Sequence, residues 1–546
     1  MNLVYKGCIK DAPCKQACPV GIDVPRYISL IKEEKFAEAV AVIREKAPFP
    51  AVLGHVCPAF CEEQCRRAEI DESLAIKCLK RFASENDTGL WKLKVKVAPS
   101  TGKKVAIVGS GPAGLTAAYY LTRLGHSVSV FEAASEPGGM MRTGIPNFQL
   151  PQEVLEKEIK EIVSLGIDLS LDSPIEDVSQ LIEDGYDAVL VAIGLQEGIK
   201  LPIPGNDLKG CLIGIDLLKG VSEGTKVSLG QNVLVLGGGG VACDVARTVK
   251  RLGVSMVAMA CLESLETIPA PSHDIRQTED EGIKIFPSRS FTRVLPGDGR
   301  VKGVECLKVK RMEFDGDGRL QLETFPDSEH VLEADTVIFA IGQRLKRQLV
   351  ERSKLELTKS GTIKASSGTN ETNIKGIFVS GDAVTGPASI PQAIATARSS
   401  AVCIDRYLGC SGSIEEVLLP PEAAGDWHGF KDSILDTDRN PMPLLEGSER
   451  FTSFAEVELG FTDPVAVEEA SRCLRCDKQV LVDIHPDKCT ECYRCQLVCS
   501  LLYQGLCNPE KARIKIRLPE IGWTEECVGG CALCVQRCPY GAVTVK

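Results

Sequence analysis

Residues 104–132 read KVAIVGSGPAGLTAAYYLTRLGHSVSVFE, and this stretch decides the fold of the chain around it. The apolar run at 105–108 predicts a buried parallel strand. Gly109, Gly111 and Gly114 follow it directly in Gly-x-Gly-x-x-Gly spacing. In that spacing the first glycine permits a tight turn, the second lets the backbone approach a pyrophosphate, and the third lets the next helix lie close to the strand.

The second half of the stretch completes a dinucleotide-binding βαβ unit. A helix is predicted over 112–124 and a second strand over 127–131, which ends in Glu132. A carboxylate at that point can accept hydrogen bonds from both ribose hydroxyls. The alternative, an ordinary glycine-rich turn, leaves Glu132 unexplained. Farther along, the Gly138-Gly139 pair suits a close approach of the backbone to the cofactor.

A second phosphate-binding unit begins at residue 232. VLVLGGGGVACDVARTVKRLG predicts a strand, a turn with Gly237, Gly239 and Ala242 in Gly-x-Gly-x-x-Ala spacing, and a helix that ends near Leu252. Two such units in one chain imply two dinucleotides.

The residues after the second loop bear on the choice of nicotinamide nucleotide. The segment 256–270, MVAMACLESLETIPA, has no Arg or Lys to bind the 2′-phosphate of NADPH. Glu263 would repel that phosphate and could accept a hydrogen bond from a free 2′-hydroxyl. NADH is therefore predicted over NADPH. Because Glu263 lies a little farther along than the usual acid, a surface glutamate without contact to the nucleotide stays the alternative.

The first lobe resumes after the second. The strand at 334–342 ends in an Ala-Ile-Gly turn, as does the strand at 186–194. Gly381 and Asp382 then follow another strand and precede a helix that begins near Pro391. An acid there can hydrogen-bond a ribityl chain, and the helix N-terminus can stabilise negative charge on a reduced isoalloxazine. The second lobe is thus predicted to be inserted in the first.

Composition narrows the class of protein. At 546 residues the chain is too long for one core, and its net charge of −11 without a basic stripe argues against nucleic acid as a partner. The chain has no amino-terminal apolar leader and no apolar run of membrane-spanning length, so a cytoplasmic protein without a membrane span is expected. In a reducing compartment clustered thiols are more often metal ligands than disulfides.

The 24 cysteines cluster at the two ends of the chain. At the amino end, CxxxCP (Cys14, Cys18) precedes residues 28–45, whose apolar positions have helical spacing. Cys57, Cys61 and Cys65 follow at intervals of four, which predicts convergence on a single metal site. Prolines after Cys18 and Cys57 favour an iron–sulfur cluster over zinc, which stays the alternative. Six scattered cysteines are interpreted as small core residues: Cys211, Cys243, Cys261, Cys306, Cys403 and Cys410.

The carboxyl end has the spacing of a two-cluster ferredoxin, CxxCxxCxxxC followed by CxxxCxxCxxxCP. In that arrangement the fourth cysteine of each run ligates the other cluster. One predicted 4Fe-4S set is Cys489, Cys492, Cys495 and Cys538, and the other is Cys527, Cys531, Cys534 and Cys499. Cys507 has no place in the pattern.

With these motifs established, the chain resembles the flavoprotein family that includes the small (β) subunit of NADPH-dependent glutamate synthase. The same domain recurs in dihydropyrimidine dehydrogenase and in electron-bifurcating transhydrogenases. The resemblance covers residues 8–410 and is carried by CxxxCPVGIDVPRYI, VCPAFCEEQC, VGSGPAG, GGMMRTGIPNFQLP, GGGGVACDVART and GDAVTG. It implies FAD in the first lobe, a nicotinamide nucleotide in the second, and 4Fe-4S clusters in the helical domain.

The chain departs from the family in three places. NADPH-using members have an Arg pair where this chain has Leu262 and Glu263, which strengthens the prediction of NADH. The family helix that normally precedes CxxxCP, FAEVELGF…EASRCLRC, stands here at 454–476. We therefore hypothesise that Cys473 and Cys476 fold back to join one amino-terminal cluster. The hypothesised sets are Cys14, Cys65, Cys473 and Cys476 for one cluster, and Cys18, Cys57, Cys61 and either Cys78 or Cys8 for the other.

One point qualifies these sets. The polar fourth ligand that some family members use is not evident among residues 77–81. The alternative to a full set is therefore that one of the two amino-terminal sites is incomplete.

The third departure is the carboxyl-terminal segment. Residues 500–516, SLLYQGLCNPEKARIKI, resemble electron-transfer subunits that serve carbon monoxide dehydrogenases and tungsten or molybdenum aldehyde oxidoreductases.

The expected fold class is α/β, with two Rossmann-like dinucleotide-binding domains, one inserted in the other, an N-terminal α-helical iron–sulfur domain and a C-terminal α+β ferredoxin-like domain. The expected function is that of an iron–sulfur flavoprotein that passes electrons between NAD(H) and a protein partner through FAD and four 4Fe-4S clusters, without a catalytic side chain. The alternatives are a glutamate synthase small subunit and a relay subunit without NADH turnover. The predicted boundaries are 1–98 for the helical domain, 99–195 and 340–410 for the FAD domain, 196–339 for the NAD(H) domain, 411–470 for a linker and 471–546 for the ferredoxin domain.

Overall fold

The computed structural model describes residues 12–297, 299–314, 320–421, 437–478, 482–518, 520–524, 527, 531 and 533–545. Cys8 lies outside the described residues. The chain divides into two units by its internal contacts. The first unit combines residues 1–96, 415–443 and 460–546, and the second combines 97–414 and 444–459.

The bounds of the regular elements follow in chain order. The helices are α1 Pro13–Gln16, α2 Val24–Lys32, α3 Phe36–Arg44, α4 Pro50–Val56, α5 Phe60–Glu63, α6 Ile76–Glu85, α7 Pro112–Arg123, α8 Met140–Thr143, α9 Gln152–Val163, α10 Ser179–Glu183, α11 Gly214–Ser222, α12 Gly240–Arg251, α13 Ser272–Asp280, α14 Arg347–Arg352, α15 Asp382–Thr385, α16 Ile390–Tyr407, α17 Glu449–Thr452, α18 Asp463–Ser471, α19 Arg494–Gln504 and α20 Leu533–Gln536. The strands are β1 Lys104–Val108, β2 Ser127–Phe131, β3 Asp168–Ser170, β4 Ala188–Val191, β5 Glu197–Gly198, β6 Cys211–Ile213, β7 Asn232–Leu236, β8 Met256–Ala260, β9 Lys284–Phe286, β10 Arg289–Gly297, β11 Arg300–Phe314, β12 Leu320–Thr324, β13 His330–Glu333, β14 Thr336–Phe339, β15 Gln343–Arg344, β16 Ile377–Val379, β17 Val482–Ile484, β18 Ile514–Arg517, β19 Glu520–Trp523 and β20 Val543–Val545.

The first lobe of the second unit is a parallel sheet in the order β16-β4-β1-β2-β3. The chain passes from β1 through α7 to β2 on one side, and later places β4 on the other side of β1. This reversal creates a crevice at the carboxyl end of β1, where ligands bind in open α/β sheets. The phosphate loop predicted at residues 109–114 lies at this edge.

The second lobe repeats this plan in a parallel sheet of order β6-β14-β7-β8-β9. An antiparallel sheet of β10, β11, β12 and β13 follows β9 in the chain. The chain leaves the first lobe through β5 and returns through β15, and these two short strands pair. The second lobe is therefore inserted in the first, and the expected α/β class with two dinucleotide-binding lobes is confirmed.

Helices form the amino-terminal part of the first unit. The apolar pattern over 28–45 folds as two helices, α2 and α3, and not as one. Glu34 adopts a left-handed φ of 58°, and the Lys35 N–H donates to the Leu30 carbonyl at 2.8 Å, which ends α2. The helical period continues across the break, so the pattern alone does not reveal the turn.

The carboxyl-terminal part of the first unit has α+β structure. β17 pairs with β20, β18 pairs with β19, and α19 lies against β18 and α20. Cysteines and apolar residues from these elements share one core. Within the part of the chain that the structure describes, none of the helices combines the length and the apolarity needed for a membrane span.

Candidate functional site

The first phosphate loop is a close-packed turn that has no room for side chains at two of its glycines. Gly109 has a φ of 106°, which favours glycine, and an added Cβ there would lie 2.5 Å from the Ala192 carbonyl oxygen. An added Cβ at Gly114 would lie 1.9 Å from the Gly109 carbonyl oxygen, whereas Gly111 has nothing within 4 Å. Gly111 therefore leaves open the space beside the N-terminus of α7 where a pyrophosphate would bind.

Glu132 lies directly against this loop. One carboxylate oxygen accepts hydrogen bonds from the Ser110 N–H at 2.9 Å and the Ser110 hydroxyl at 2.5 Å. The other accepts from the Ala134 N–H at 2.9 Å. The acid at the end of β2 is thus fixed at the height of the glycines, where the ribose of a bound dinucleotide is expected.

Two further predicted segments meet the same loop. An added Cβ at Gly139 would lie 2.9 Å from the Gly111 Cα, and one at Gly381 would lie 2.9 Å from the Ala113 side chain. Asp382 follows at the start of α15, and burial raises the pKa of its carboxyl group to about 6. The structure therefore places all the first-lobe residues singled out from the sequence at one edge of one sheet.

The second lobe has an equivalent loop between β7 and α12. An added Cβ at Gly237 would lie 2.3 Å from the Ala340 carbonyl oxygen, and Ala242 is fully buried beneath the loop. Gly239 has nothing within 4 Å. An added Cβ at Gly238 would lie 3.0 Å from a carboxylate oxygen of Glu263. Glu263 thus belongs to the loop and not to a remote surface.

A partly buried acid, Asp244, lies one turn into α12. Gln149, from the first lobe, donates to its carboxylate at 2.5 Å. Burial and the neighbouring Asp274 raise the pKa of Asp244 to about 8. No sequence motif singled out this residue.

Asp244 predicts a pH-dependent cost in stability. The folded protein retains the Asp244 proton up to about pH 8, whereas an ordinary carboxyl group loses it near pH 3.8, so this group lowers stability as the pH rises between those values. In Asp244→Asn this loss disappears. Its advantage in Tm over the native protein should grow by about 4–8 °C between pH 6 and pH 8, because two pH units at about 1.4 kcal/mol each amount to roughly 2 kcal/mol once partial titration near pH 8 is included, and each 1 kcal/mol shifts Tm by about 2–4 °C in a domain of this size. Thermal scans at both values measure it. Asp207→Asn, which neutralises an exposed carboxylate, should show no such trend, and an equal trend in both variants would contradict the assignment.

In the first unit the ends of the chain come together at one group of thiols. Cys14, Cys65, Cys473 and Cys476 line a single pocket with apolar residues of α2 and α6. Burial raises the pKa of Cys14, and Cys473, Cys65 and Cys476 raise it further, in that order.

A buried network of hydrogen bonds holds residues 472–476 in place. Arg472 is fully buried, donates to Glu469 at 2.8 Å and to Asp71 at 3.0 Å, and its carbonyl accepts from Arg67 at 3.1 Å. Arg475 donates to the Ser29 hydroxyl at 2.5 Å. The segment that carries Cys473 and Cys476 is thus bonded to residues of the amino-terminal helical part.

The three thiols spaced four apart do not converge on one site, so that prediction was wrong. Cys65 lies in the pocket just described, whereas the thiols that act most strongly on Cys61 are Cys57 and Cys18. The reason is local: Ala59 has a left-handed φ of 61°, and α5 ends at Glu63, so the three cysteines do not share one helix face.

The second amino-terminal group contains a lysine that the sequence analysis did not single out. Lys80, which is 4% exposed, is the largest charge acting on Cys61. Cys78 is also buried, and its charge is one of the causes that raise the pKa of the Arg439 guanidinium.

The ferredoxin-like segment contains two further groups of thiols. Cys489, Cys492, Cys495 and Cys538 line one pocket. Burial raises the pKa of Cys534, and Cys531, Cys527 and Cys499 raise it further. The last cysteine of each run therefore lies with the first three of the other run.

In the described residues the thiol groups lack the compact arrangement of a single metal site. Among the described residues, the group whose ligand atoms all lie within 4.8 Å of one another is His126, Asp405 and Cys410, and none of the four thiol groups meets that distance. A tetrahedral zinc with Zn–S bonds of about 2.3 Å would hold its sulfurs about 3.8 Å apart. All-thiol groups suit an iron–sulfur cluster, because cysteine thiolates are the usual ligands of its irons.

The scattered cysteines follow their interpretation in part. Cys211, Cys243, Cys261 and Cys306 are buried, as expected for core residues. Cys403 is half-buried and Cys410 is exposed, so these two do not belong to the core. Cys507 is exposed as well.

Two lobes built on glycine loops, together with separate groups composed of thiols, define an FAD- and NAD(P)-dependent iron–sulfur oxidoreductase. Comparison with known families agrees: residues 103–397 match the model for pyridine nucleotide-disulphide oxidoreductases. The chain belongs to this family. Residues 6–89 match the model for dihydropyrimidine dehydrogenase domain II, which carries a 4Fe-4S cluster.

Curated relatives cover most of the chain. It is 35% identical over 87% of its length to the NADP(+)-dependent formate dehydrogenase subunit beta of Moorella thermoacetica, covering 72% of that protein. It is 35% identical over 87% of its length to the NADPH-Fe(3+) oxidoreductase subunit beta of Geobacter sulfurreducens, covering 76%. It is 34% identical over 73% of its length to the NAD-dependent dihydropyrimidine dehydrogenase subunit PreT of Escherichia coli, covering 91%.

A solved structure supports the fold of the two lobes. FprA from Mycobacterium tuberculosis in complex with NADPH superposes with a TM-score of 0.50 at 21% identity. The match covers 57% of this chain and 85% of that one.

Proposed function

We propose that this chain accepts a hydride from NADH in its second lobe and delivers electrons singly, through four 4Fe-4S clusters, to a protein partner. The observation that carries the proposal is the presence, in one polypeptide, of two dinucleotide loops and four separate groups of thiols. FAD is the cofactor that links two-electron to one-electron chemistry. The proposed cluster sets are those hypothesised from the sequence, with either Cys78 or Cys8 as the fourth ligand of the second amino-terminal set.

The part played by the protein's own residues is to bind and orient. The N-terminus of α7 and the open space at Gly111 receive the pyrophosphate of FAD, and Glu132 binds its ribose. Asp382, at the start of α15, binds the ribityl chain. In the second lobe Gly237 and Gly239 receive the pyrophosphate of NADH. None of these steps requires a catalytic acid or base.

The thiol groups form two pairs of neighbours. The charge of Cys61, in one amino-terminal group, raises the pKa of Cys14 in the other group. Tyr27, which is fully buried, is influenced by thiols of both groups. In the ferredoxin-like segment the two groups exchange their fourth cysteine. We infer that each pair acts as one relay.

Glu263 supports NADH as the preferred nucleotide. Its carboxylate lies against Gly238 of the phosphate loop, where it would repel a 2′-phosphate and accept from a free 2′-hydroxyl. The relatives reported above include proteins named for NADP(H) and proteins named for NAD. The choice of NADH for this chain therefore rests on Glu263.

A change of charge at Glu263 tests the preference. Glu263→Arg should shift the ratio of kcat/KM for NADH over NADPH toward NADPH by about 10-fold or more, since a charge-assisted bond to phosphate is worth about 1.5–3 kcal/mol. Steady-state dye reduction with both nucleotides measures the ratio. Glu266→Arg, an equal change of charge at an exposed neighbour, is the matched control. An unchanged ratio in Glu263→Arg would refute the assignment.

For the partner, we propose the catalytic subunit of a metal-containing oxidoreductase, such as a tungsten or molybdenum enzyme or a carbon monoxide dehydrogenase. The ferredoxin-like segment supports this, because it provides a second pair of clusters beyond those expected of a flavin subunit. Affinity purification from the native cells under anaerobic conditions tests it: a copurifying metalloenzyme subunit is expected. Recovery of a large glutamine-hydrolysing subunit would instead favour a glutamate synthase.

The flavoprotein activity itself is tested with the isolated chain. NADH-dependent reduction of a one-electron viologen dye is expected, because the hydride acceptor and the one-electron carriers are on the same polypeptide. A chain that carries FAD and iron but reduces no dye with NADH or NADPH would be a relay without turnover, which would overturn the proposal.

A further inference from the structure

Two helices of the first lobe, α7 and α16, pack against each other and end in the same kind of turn. After α7 the Gly125 N–H donates to the Thr122 carbonyl at 3.0 Å, and the His126 N–H donates to the Leu121 carbonyl at 3.1 Å. Gly125 has a φ of 89°, so these two bonds complete a Schellman motif. The motif turns His126 back over the last turn of its helix.

The turn after α16 has the same bonds. The Gly409 N–H donates to the Arg406 carbonyl at 3.0 Å, and the Cys410 N–H donates to the Asp405 carbonyl at 2.9 Å. Gly409 also has a φ of 89°. The second motif therefore brings Cys410 back beside Asp405.

The side chains of His126, Asp405 and Cys410 meet between these two turns. His126 Nε2 lies 2.8 Å from Asp405 Oδ1, and the potential ligand atoms of all three residues lie within 4.8 Å of one another. His126 is 4% exposed and Asp405 is 1% exposed, whereas Cys410 is exposed. The group is thus buried at the nitrogen and oxygen donors and open to solvent at the thiol.

Further contacts fix both buried donors. His126 Nδ1 lies 2.8 Å from the Thr101 hydroxyl oxygen, and the second Asp405 oxygen accepts from the Gly412 N–H at 2.6 Å. Metal-binding imidazoles and carboxylates are usually oriented by outer hydrogen bonds of this kind. The C-termini of α7 and α16 both carry partial negative charge, which favours a cation at the same point.

We propose that His126 Nε2, Asp405 Oδ1 and Cys410 Sγ bind one Zn²⁺ ion, at a site separate from the thiol groups of the first unit. Nitrogen, oxygen and sulfur donors together suit zinc, whereas Mg²⁺ takes oxygen ligands and iron–sulfur clusters take thiolates. Zinc bonds of about 2.0–2.3 Å hold the ligand atoms about 3.3–3.8 Å apart, so Nε2 and Oδ1 separate slightly on binding.

Binding of the ion changes the protonation of one ligand. Neutral His126 binds through the Nε2 lone pair with its ring proton on Nδ1, which donates to the Thr101 hydroxyl. The Cys410 thiol releases its proton to solvent as the zinc–sulfur bond forms, and water takes the fourth position. The ion joins the C-termini of α7 and α16, and it therefore stabilises the first lobe.

Zinc content and thermal stability test the assignment on the full chain with its FAD and iron. After anaerobic incubation with Zn²⁺ and desalting, the native chain should retain about one zinc atom by mass spectrometry of the metals. Its Tm should rise by about 5–10 °C when free Zn²⁺ is 100 times its Kd. Cys410→Ala should lose both the zinc and the rise in Tm, with unchanged FAD and iron, because the replaced thiol is exposed.

Cys403→Ala is the matched control, because it removes a half-buried thiol from α16 outside the group, and it should retain the zinc. His126→Gln can still donate to Asp405 but is a poor zinc ligand, so it should lose the zinc as well. Equal zinc in Cys410→Ala and Cys403→Ala would overturn the proposal. A native chain that retains no zinc would overturn it too, and His126 and Asp405 would then be a buried pair that only joins the two helices. Neither result bears on the flavin or the iron, which are measured separately.

Discussion

Replacing Cys473 and Cys476 together by serine should lower the iron content of the purified chain from about sixteen atoms to about twelve. The two thiols line one pocket with Cys14 and Cys65, and burial raises the pKa of Cys473 to about 12. Thiols this buried bind iron as thiolates only when the metal displaces the proton, so two serines should leave too few ligands to hold the cluster. Colorimetric iron and sulfide assays, together with the visible absorption, measure the loss.

The same variant should also be less stable. The proposed cluster joins residues near both ends of the chain, and a metal clip across so long a loop restricts the unfolded state strongly. We expect a fall in Tm of several degrees. Cys507→Ser is the control, because Cys507 is exposed and has no place in a ligand set. Iron near sixteen atoms in the double variant would show that the fold-back plays no part in cluster binding.

Replacing Gly114 by alanine should abolish most FAD binding. An added methyl group would lie 1.9 Å from the Gly109 carbonyl oxygen, so α7 would have to move away from β1 and open the phosphate loop. The expected product is a chain that retains its iron but has lost the flavin absorption. Released FAD, quantified by fluorescence after denaturation, is the measurement.

Substitutions at two other glycines distinguish a folding defect from a loss of cofactor binding. Gly111→Ala has nothing within 4 Å of its new methyl group, so it should fold normally and bind FAD weakly, because the methyl group occupies the space needed for the pyrophosphate. Gly239→Ala makes the same change in the second lobe. It should retain FAD and weaken NADH binding. Stoichiometric FAD in Gly114→Ala would contradict the assignment of the first lobe.

Local patterns predicted the two lobes well. The glycine spacing, the apolar strands and Glu132 are all within 30 residues of one another, and short-range sterics determine their geometry. The observed bounds of β1, α7 and β2 agree with the predicted ones to within a residue. The same reasoning missed the break between α2 and α3, because Glu34 adopts a left-handed conformation without a glycine to mark it.

The thiol groups were less predictable, because their members come from distant parts of the chain. Spacing alone placed Cys57, Cys61 and Cys65 together. It was the resemblance to a family that suggested the union of Cys473 and Cys476 with the amino end.

The central claim is that electrons pass from the nicotinamide to the flavin and on to the clusters within this one chain. Anaerobic titration of the isolated chain with NADH, followed by flavin absorption and low-temperature EPR, tests it most directly. The account predicts bleaching of the flavin and the appearance of EPR signals from reduced 4Fe-4S clusters. A chain replete with FAD and iron whose absorption and EPR spectra do not change with either NADH or NADPH would contradict it.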